Sequence, residues 1–337
     1  MAQSYAFASM RIRMMERQIL SESVWKRLLT SRDLLEALAI LRESRYGALL
    51  EGQGQEGKDF DQILQEELAR QADQVQDLIE DAPVRAFLFH AYDLHNLKML
   101  IKSELAEGPE EAEAFAALCY PFGSLFLPQI KDWIHHPQAN PKRTDLEQAL
   151  AEGVAIWTES QDARRLDLCL DRWLFRQLQS WSQAIDRPFF SRYVQKMADA
   201  TNILNFFRAS RRKESRNFLS NLLVEGGRIA RADFEKIYGL EGVHYTLFFQ
   251  KAELGRDFEE AVRSYVQDGR ITTLEQAKDR LKRALSAEAL RGNEGPELLF
   301  GYFSRVESEI QNLRILLHAK QVGLEEAEIK ERMRTDV

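Results

Sequence analysis

Three times the chain writes an acidic residue, two others, an asparagine, and then leucine or isoleucine. The copies are Asp93-Leu94-His95-Asn96-Leu97, Asp199-Ala200-Thr201-Asn202-Ile203 and Glu309-Ile310-Gln311-Asn312-Leu313. The steps between them are 106 residues (93 to 199) and 110 residues (199 to 309). One motif at a near-constant interval means a repeated structural unit, and a repeat constrains a fold more than any single segment does. The spacing predicts three similar units, bounded at 1–108, 109–225 and 226–337.

The units read as helical. Phe303, Val306, Ile310, Leu313 and Leu317 are spaced 3, 4, 3, 4, which draws one apolar stripe on an α-helix. Tyr193, Met197, Ala200, Leu204 and Phe207 do the same around the second motif, and Leu94, Leu97, Ile101 and Leu105 do so more loosely around the first. Alternating apolar and polar runs bounded by turn residues are essentially missing, so the expected fold class is all-α, in helices of 10 to 25 residues. Turn chemistry marks the breaks: Glu107-Gly108-Pro109, Glu225-Gly226-Gly227 and Gly292-Asn293-Glu294-Gly295-Pro296. Thr144 with Glu147 predicts a capping box at the start of another helix.

A 337-residue chain that is 45% apolar and 29% charged has ample material for a core. Its net charge of −7 argues against nucleic acid as the main partner. No stretch approaches a membrane span, and the opening residues with Arg11, Arg13 and Arg17 lack the apolar core of a signal peptide. Cys119 and Cys169 sit in apolar helical stretches and read as buried, reduced thiols.

Each candidate site has a plainer alternative. On a helix, the acid and the asparagine of each motif (Asp93 and Asn96, Asp199 and Asn202, Glu309 and Asn312) are neighbours able to bond each other. The pair reads as a polar clamp holding the motif helix to its neighbours, or as the lining of a shared cavity. No base or nucleophile accompanies all three copies, so no catalytic residue is expected. Gly52 to Asp59 nearly spells a phosphate-binding loop, but Asp59 stands where Ser or Thr would hold magnesium, and a helix precedes it instead of a strand. His135-His136 beside Asp132, and His90 with His95, lack metal-ligand spacing. No cofactor or metal is expected. Arg208, Arg211, Arg212, Lys213 and Arg216 form the densest basic cluster. They are either a solvated helix end or a surface for an acidic partner.

Taken in order, these residues resemble the C subunits of the V-type (vacuolar and archaeal-type) rotary ATPases, whose eukaryotic members are the d subunits. The resemblance rests on Tyr5-Ala6-Phe7-Ala8 with Arg11 and Arg13, on Leu34-Leu35 through Leu41 to Tyr46, and on Tyr92-Asp93 with Asn96-Leu97-Lys98. It continues through Leu166-Asp167, Leu170-Asp171-Arg172 and Phe175 to Asp199 with Asn202-Ile203. The closing stretch is Glu309, Asn312-Leu313-Arg314-Ile315, Lys320, Gly323-Leu324 and Glu328-Ile329. There are departures: Ala319 where glycine is expected, Glu309 in place of aspartate, and Leu204 where the other copies have Lys98 and Arg314.

The resemblance implies an all-helical funnel of three pseudo-threefold units, without an active site or cofactor. It implies a single copy in the central rotor, between the shaft (D and F type subunits) and the membrane proteolipid ring, on the cytoplasmic face. Such a piece transmits torque for proton or sodium transport. The competing expectation is a generic α-helical interaction scaffold outside any ATPase.

Overall fold

The computed structural model describes residues 5–51, 60–136, 144–240 and 243–333. Within them every regular element is a helix. Residue contacts divide the chain into two compact units: Met1–Glu80 with Arg283–Val337, and Asp81–Lys282.

The motifs lie on three of the longest helices, Ala82–Glu104, Pro188–Arg212 and Pro296–Gln321. Each has a proline in its first turn, where the missing N–H has no helical partner in any case. The apolar stripes read from the sequence are the buried faces. Phe303, Val306, Ile310, Leu313 and Leu317 are buried, as are Tyr193, Met197, Ala200, Leu204 and Phe207. Around the first motif Leu97 and Ile101 are buried, while Leu94 and Leu105 are half-buried.

In the larger unit the helix Ala163–Ile185 packs against both motif helices, and Asp145–Ser160 packs beside it. Thr144 and Glu147 form the expected capping box at the head of Asp145–Ser160. In the other unit Pro296–Gln321 is central, touching Ala6–Glu16, Leu34–Leu41, Phe60–Gln76 and Glu326–Arg332.

Two expectations need correction. Helices shorter than 10 residues are common, Pro109–Ala116 and Arg231–Ile237 among them, because the connections after the motif helices are themselves short helical turns. Cys119 is half-buried on a bend after Pro109–Ala116, not buried in a helix. Cys169 is buried, and its thiol is pushed up to about 12, chiefly by burial.

Candidate functional site

Each motif pair is buried: Asp93, Asn96, Asp199, Asn202, Glu309 and Asn312 are all at or below 4% exposure. A polar group at that depth must be matched by partners. At the first two motifs the acid and asparagine do not bond each other. Both reach across to the backbone of the connection that follows their helix.

Asn96 Oδ1 accepts from the Tyr120 N–H at 2.8 Å while its Nδ2 donates to the Tyr120 carbonyl at 3.0 Å. Asn202 repeats this on Val224, at 2.8 and 2.9 Å. A side-chain amide that satisfies both polar groups of one residue acts like a strand partner inserted from a helix. The acids bind further along the same connections. Asp93 Oδ1 accepts from the N–H groups of Ser124 and Leu125 at 2.8 and 3.2 Å. Asp199 accepts from those of Arg228 and Ile229 at 2.8 and 3.1 Å. In both copies the acid binds the fourth and fifth residues after the one its asparagine holds.

A glycine makes each approach possible. A methyl group built on Gly123 would meet the Asp93 carboxylate, and one on Gly227 would meet that of Asp199. Burial raises the pKa of Asp93, against the opposing bonds from Ser124 and Leu125. It raises that of Asp199 too, against those from Arg228 and Ile229.

The third motif keeps the logic with different parts. Glu309 Oε2 accepts from the Leu20 N–H at 2.7 Å, so the connection it holds comes from the opening of the chain. Its Oε1 accepts from Arg45 at 2.7 Å and from the Tyr46 hydroxyl at 2.8 Å. The Arg45 side chain is 3% exposed and also faces Glu67, which in turn accepts from Arg70 and Gln71. Burial raises the pKa of Glu309 and Arg45 opposes it. Nearby, Lys320 donates to the carbonyls of Leu29 and Ser31, the end of the helix Glu22–Thr30, where a cation suits the helix dipole.

Two residues after each asparagine stands Lys98, Leu204 or Arg314. Lys98 pairs with Asp167 and Asp171, both at 3.0 Å, on the helix Ala163–Ile185. Arg314 pairs with Asp61 at 2.7 Å on the helix Phe60–Gln76. Leu204 is apolar and buried.

All five residues of the basic cluster are exposed at the end of the second motif helix or just beyond it. Arg208 pairs with Glu275 at 2.6 Å and Arg216 donates to the Tyr238 carbonyl at 3.2 Å. Lys213 takes a left-handed backbone at the helix terminus. Arg211 and Arg212 have no acidic partner among the described residues.

The glycine-rich segment from Gly52 to Asp59 lies outside the described residues. His135 sits by Glu104, and His136 lies 3.9 Å from Asp132. Among the described residues no three His, Cys, Asp or Glu side chains are grouped to hold a metal ion, and no helix is long and apolar enough to cross a membrane.

Sequence reasoning missed the backbone partners, the two glycines and the Arg45–Glu67 cluster. The glycines had a signal: Gly123 follows Asp93 by 30 residues and Gly227 follows Asp199 by 28.

This buried, motif-centred scaffold has known counterparts. Residues 8–332 match the family model of the ATP synthase (C/AC39) subunit. The chain belongs to that family. Among curated C/AC39 relatives, the C subunit of the V-type sodium ATPase from Enterococcus hirae is 23% identical over 279 residues, covering 82% of each chain. The C subunit of the V-type ATP synthase from Thermus thermophilus is 25% identical over 348 residues, covering 98% of each. The C subunit of the A-type ATP synthase from Pyrococcus horikoshii is 22% identical over 287 residues, covering 81% of this chain and 74% of its own. In this C/AC39 chain the motif acids are therefore buried in backbone clamps, and none faces an open site as a free carboxylate.

Proposed function

We propose that the chain is a non-catalytic rotor component of a V-type or A-type ATPase, joining the central shaft to the membrane proteolipid ring and passing torque between them. Its partners are then the D and F type shaft subunits and the ring. It is present as one copy, on the cytoplasmic face, and is held at the membrane through the ring. Proton and sodium transport are equally compatible with this role. The observation that carries the reading is where the motif's polarity goes. Asp93, Asn96, Asp199 and Asn202 are consumed in holding backbone, which gives stiffness. A torque-passing part needs poorly compressible packing, and helices locked to their connections supply it.

The matched register of the first two clamps supports related repeat units, which we place at 1–108, 109–225 and 226–337. Arg211 and Arg212, exposed and without acidic partners among the described residues, are the first candidates to meet acidic groups on the shaft. Co-expression with the shaft subunits tests the role. A stoichiometric complex should copurify, and charge reversal at Arg211 and Arg212 should weaken it without lowering the melting temperature. Failure of the unaltered chain to copurify with the shaft would refute the role.

A further inference from the structure

The second motif lacks a charge pair that the other two have. Lys98 and Arg314 project from their motif helices onto acids of the packed helix. At the second motif Leu204 occupies that position, and a cation arrives from another helix. Lys278, on the helix Ile271–Ala289, donates to the Thr201 hydroxyl at 2.8 Å. Thr201 belongs to the motif itself. Among the described residues no carboxylate lies within ion-pair distance of the Lys278 ammonium, although the residue is half-buried. An ammonium drawn partly out of water is costly unless opposite charge offsets it, and Asp171 and Asp279 act on this one only from beyond ion-pair distance.

Lys278 opens onto a cleft of about 490 Å³. Arg164 and Arg212 also line it, and neither has an acidic partner among the described residues. The cleft's two aspartates, Asp167 and Asp171, are already engaged by Lys98. Lys278, Arg164 and Arg212 thus line the cleft without an ion-pair partner among the described residues, beside Glu214, and Asp171 acts on Lys278 from beyond ion-pair distance. Apolar surface from Phe218 and Leu222 completes the lining. A polyphosphate fits poorly, because Asp167, Asp171 and Glu214 repel each added charge. A single carboxylate carried on a partly apolar chain matches both halves of the wall.

We propose that this cleft is a carboxylate-binding site, in which a glutamate or aspartate from an apolar-flanked segment of a partner protein supplies the ion-pair partner that Lys278 lacks. The site stands on its own geometry, and the rotor role makes a shaft segment the natural source.

The electrostatics give the test its readout. Burial lowers the Lys278 pKa to about 8. Asp171 and Asp279 oppose that shift, while Arg208 and Lys282 reinforce it. A bound carboxylate favours the charged ammonium and must raise that pKa. The probe is a capped pentapeptide with a central glutamate between leucines, titrated into the full chain labelled with ¹⁵N-lysine. The expected result is saturable movement of the Lys278 ammonium resonance, a raised pKa, and binding that weakens as pH rises above about 8. The glutamine version of the peptide should leave the resonance unmoved. Lys278→Met should weaken binding at least about tenfold, the loss expected for a charged hydrogen bond, and Lys278→Arg should restore most of it.

Three outcomes overturn the proposal: a Lys278 resonance that ignores the glutamate peptide, equal binding of the glutamine peptide, or inorganic phosphate or ATP binding more tightly than the peptide. Copurification with the shaft while Lys278 stays silent would refute the carboxylate site and leave the rotor role intact. The reverse pattern would refute the rotor role alone.

Discussion

The clamps at Asp93 and Asp199 and the clamp at Glu309 do one job by different means. The first two hold the connection that follows in sequence, and only hydrogen bonds to neutral groups enter the acid's first contacts. The third holds Leu20, 289 residues away, and adds Arg45, 264 residues away. A local connection is already near its helix, so a short aspartate and a glycine suffice. A distant segment must be recruited, and the longer glutamate reaches both a backbone N–H and a buried guanidinium. The substitution of Glu309 for aspartate, a mild departure within the motif, marks the place where segments around Leu20 and Arg45 are tied to the third motif helix.

The largest expected effect breaks that tie. Glu309→Ala leaves Arg45 charged and buried without its main partner, which should cost about 3–5 kcal/mol in denaturant unfolding. A loss under about 1 kcal/mol would put the third clamp on a par with a surface pair.

Next comes the asparagine bridge. Asn202→Ala strands both polar groups of buried Val224 and should cost about 2–3 kcal/mol. Asn96→Ala should cost less, about 1–2 kcal/mol, because Tyr120 is only half-buried and water can replace part of the bridge. Hydrogen exchange at the Val224 and Tyr120 amides reads the same ranking directly, and a reversed order would contradict it.

Gly227→Ala sharpens the comparison from the other side. Its methyl would press on the Asp199 carboxylate, so a loss of about 1–3 kcal/mol is expected. Gly108→Ala, with nothing near its added carbon, is the control.

The smallest effect is on pH. Asp199 has a folded-state pKa raised above its unfolded value, mainly by burial. Between the two values the native state binds more protons, so this group's contribution improves as pH falls and worsens as pH rises. Unfolding of wild type and Asp199→Asn, compared from pH 7 down to 4, should show the wild-type advantage growing with acidity. A shrinking advantage would mean that the N–H bonds from Arg228 and Ile229 outweigh burial.

Much of the fold was legible because helix burial is periodic. The stripes through Phe303 and Tyr193 are buried as read, and the Thr144 cap is in place. The motif pairs were legible as polar clamps, but their partners were not. Spacing on a helix reveals which side chains are neighbours, not which distant backbone will meet them, and the reading of acid bonded to asparagine followed from that limit. Lys278 was illegible for a related reason. Its setting depends on the groups the fold gathers around it, and its bond to Thr201 exists only once the two helices are brought together.

The proposed rotor role is one of coupling motion between shaft and ring. The most direct test is to assemble the rotary complex from its parts in vesicles, with and without this chain, and to follow ATP hydrolysis and ion uptake together. The account predicts that without the chain hydrolysis persists while ion uptake collapses. Ion uptake unchanged in its absence would contradict the account.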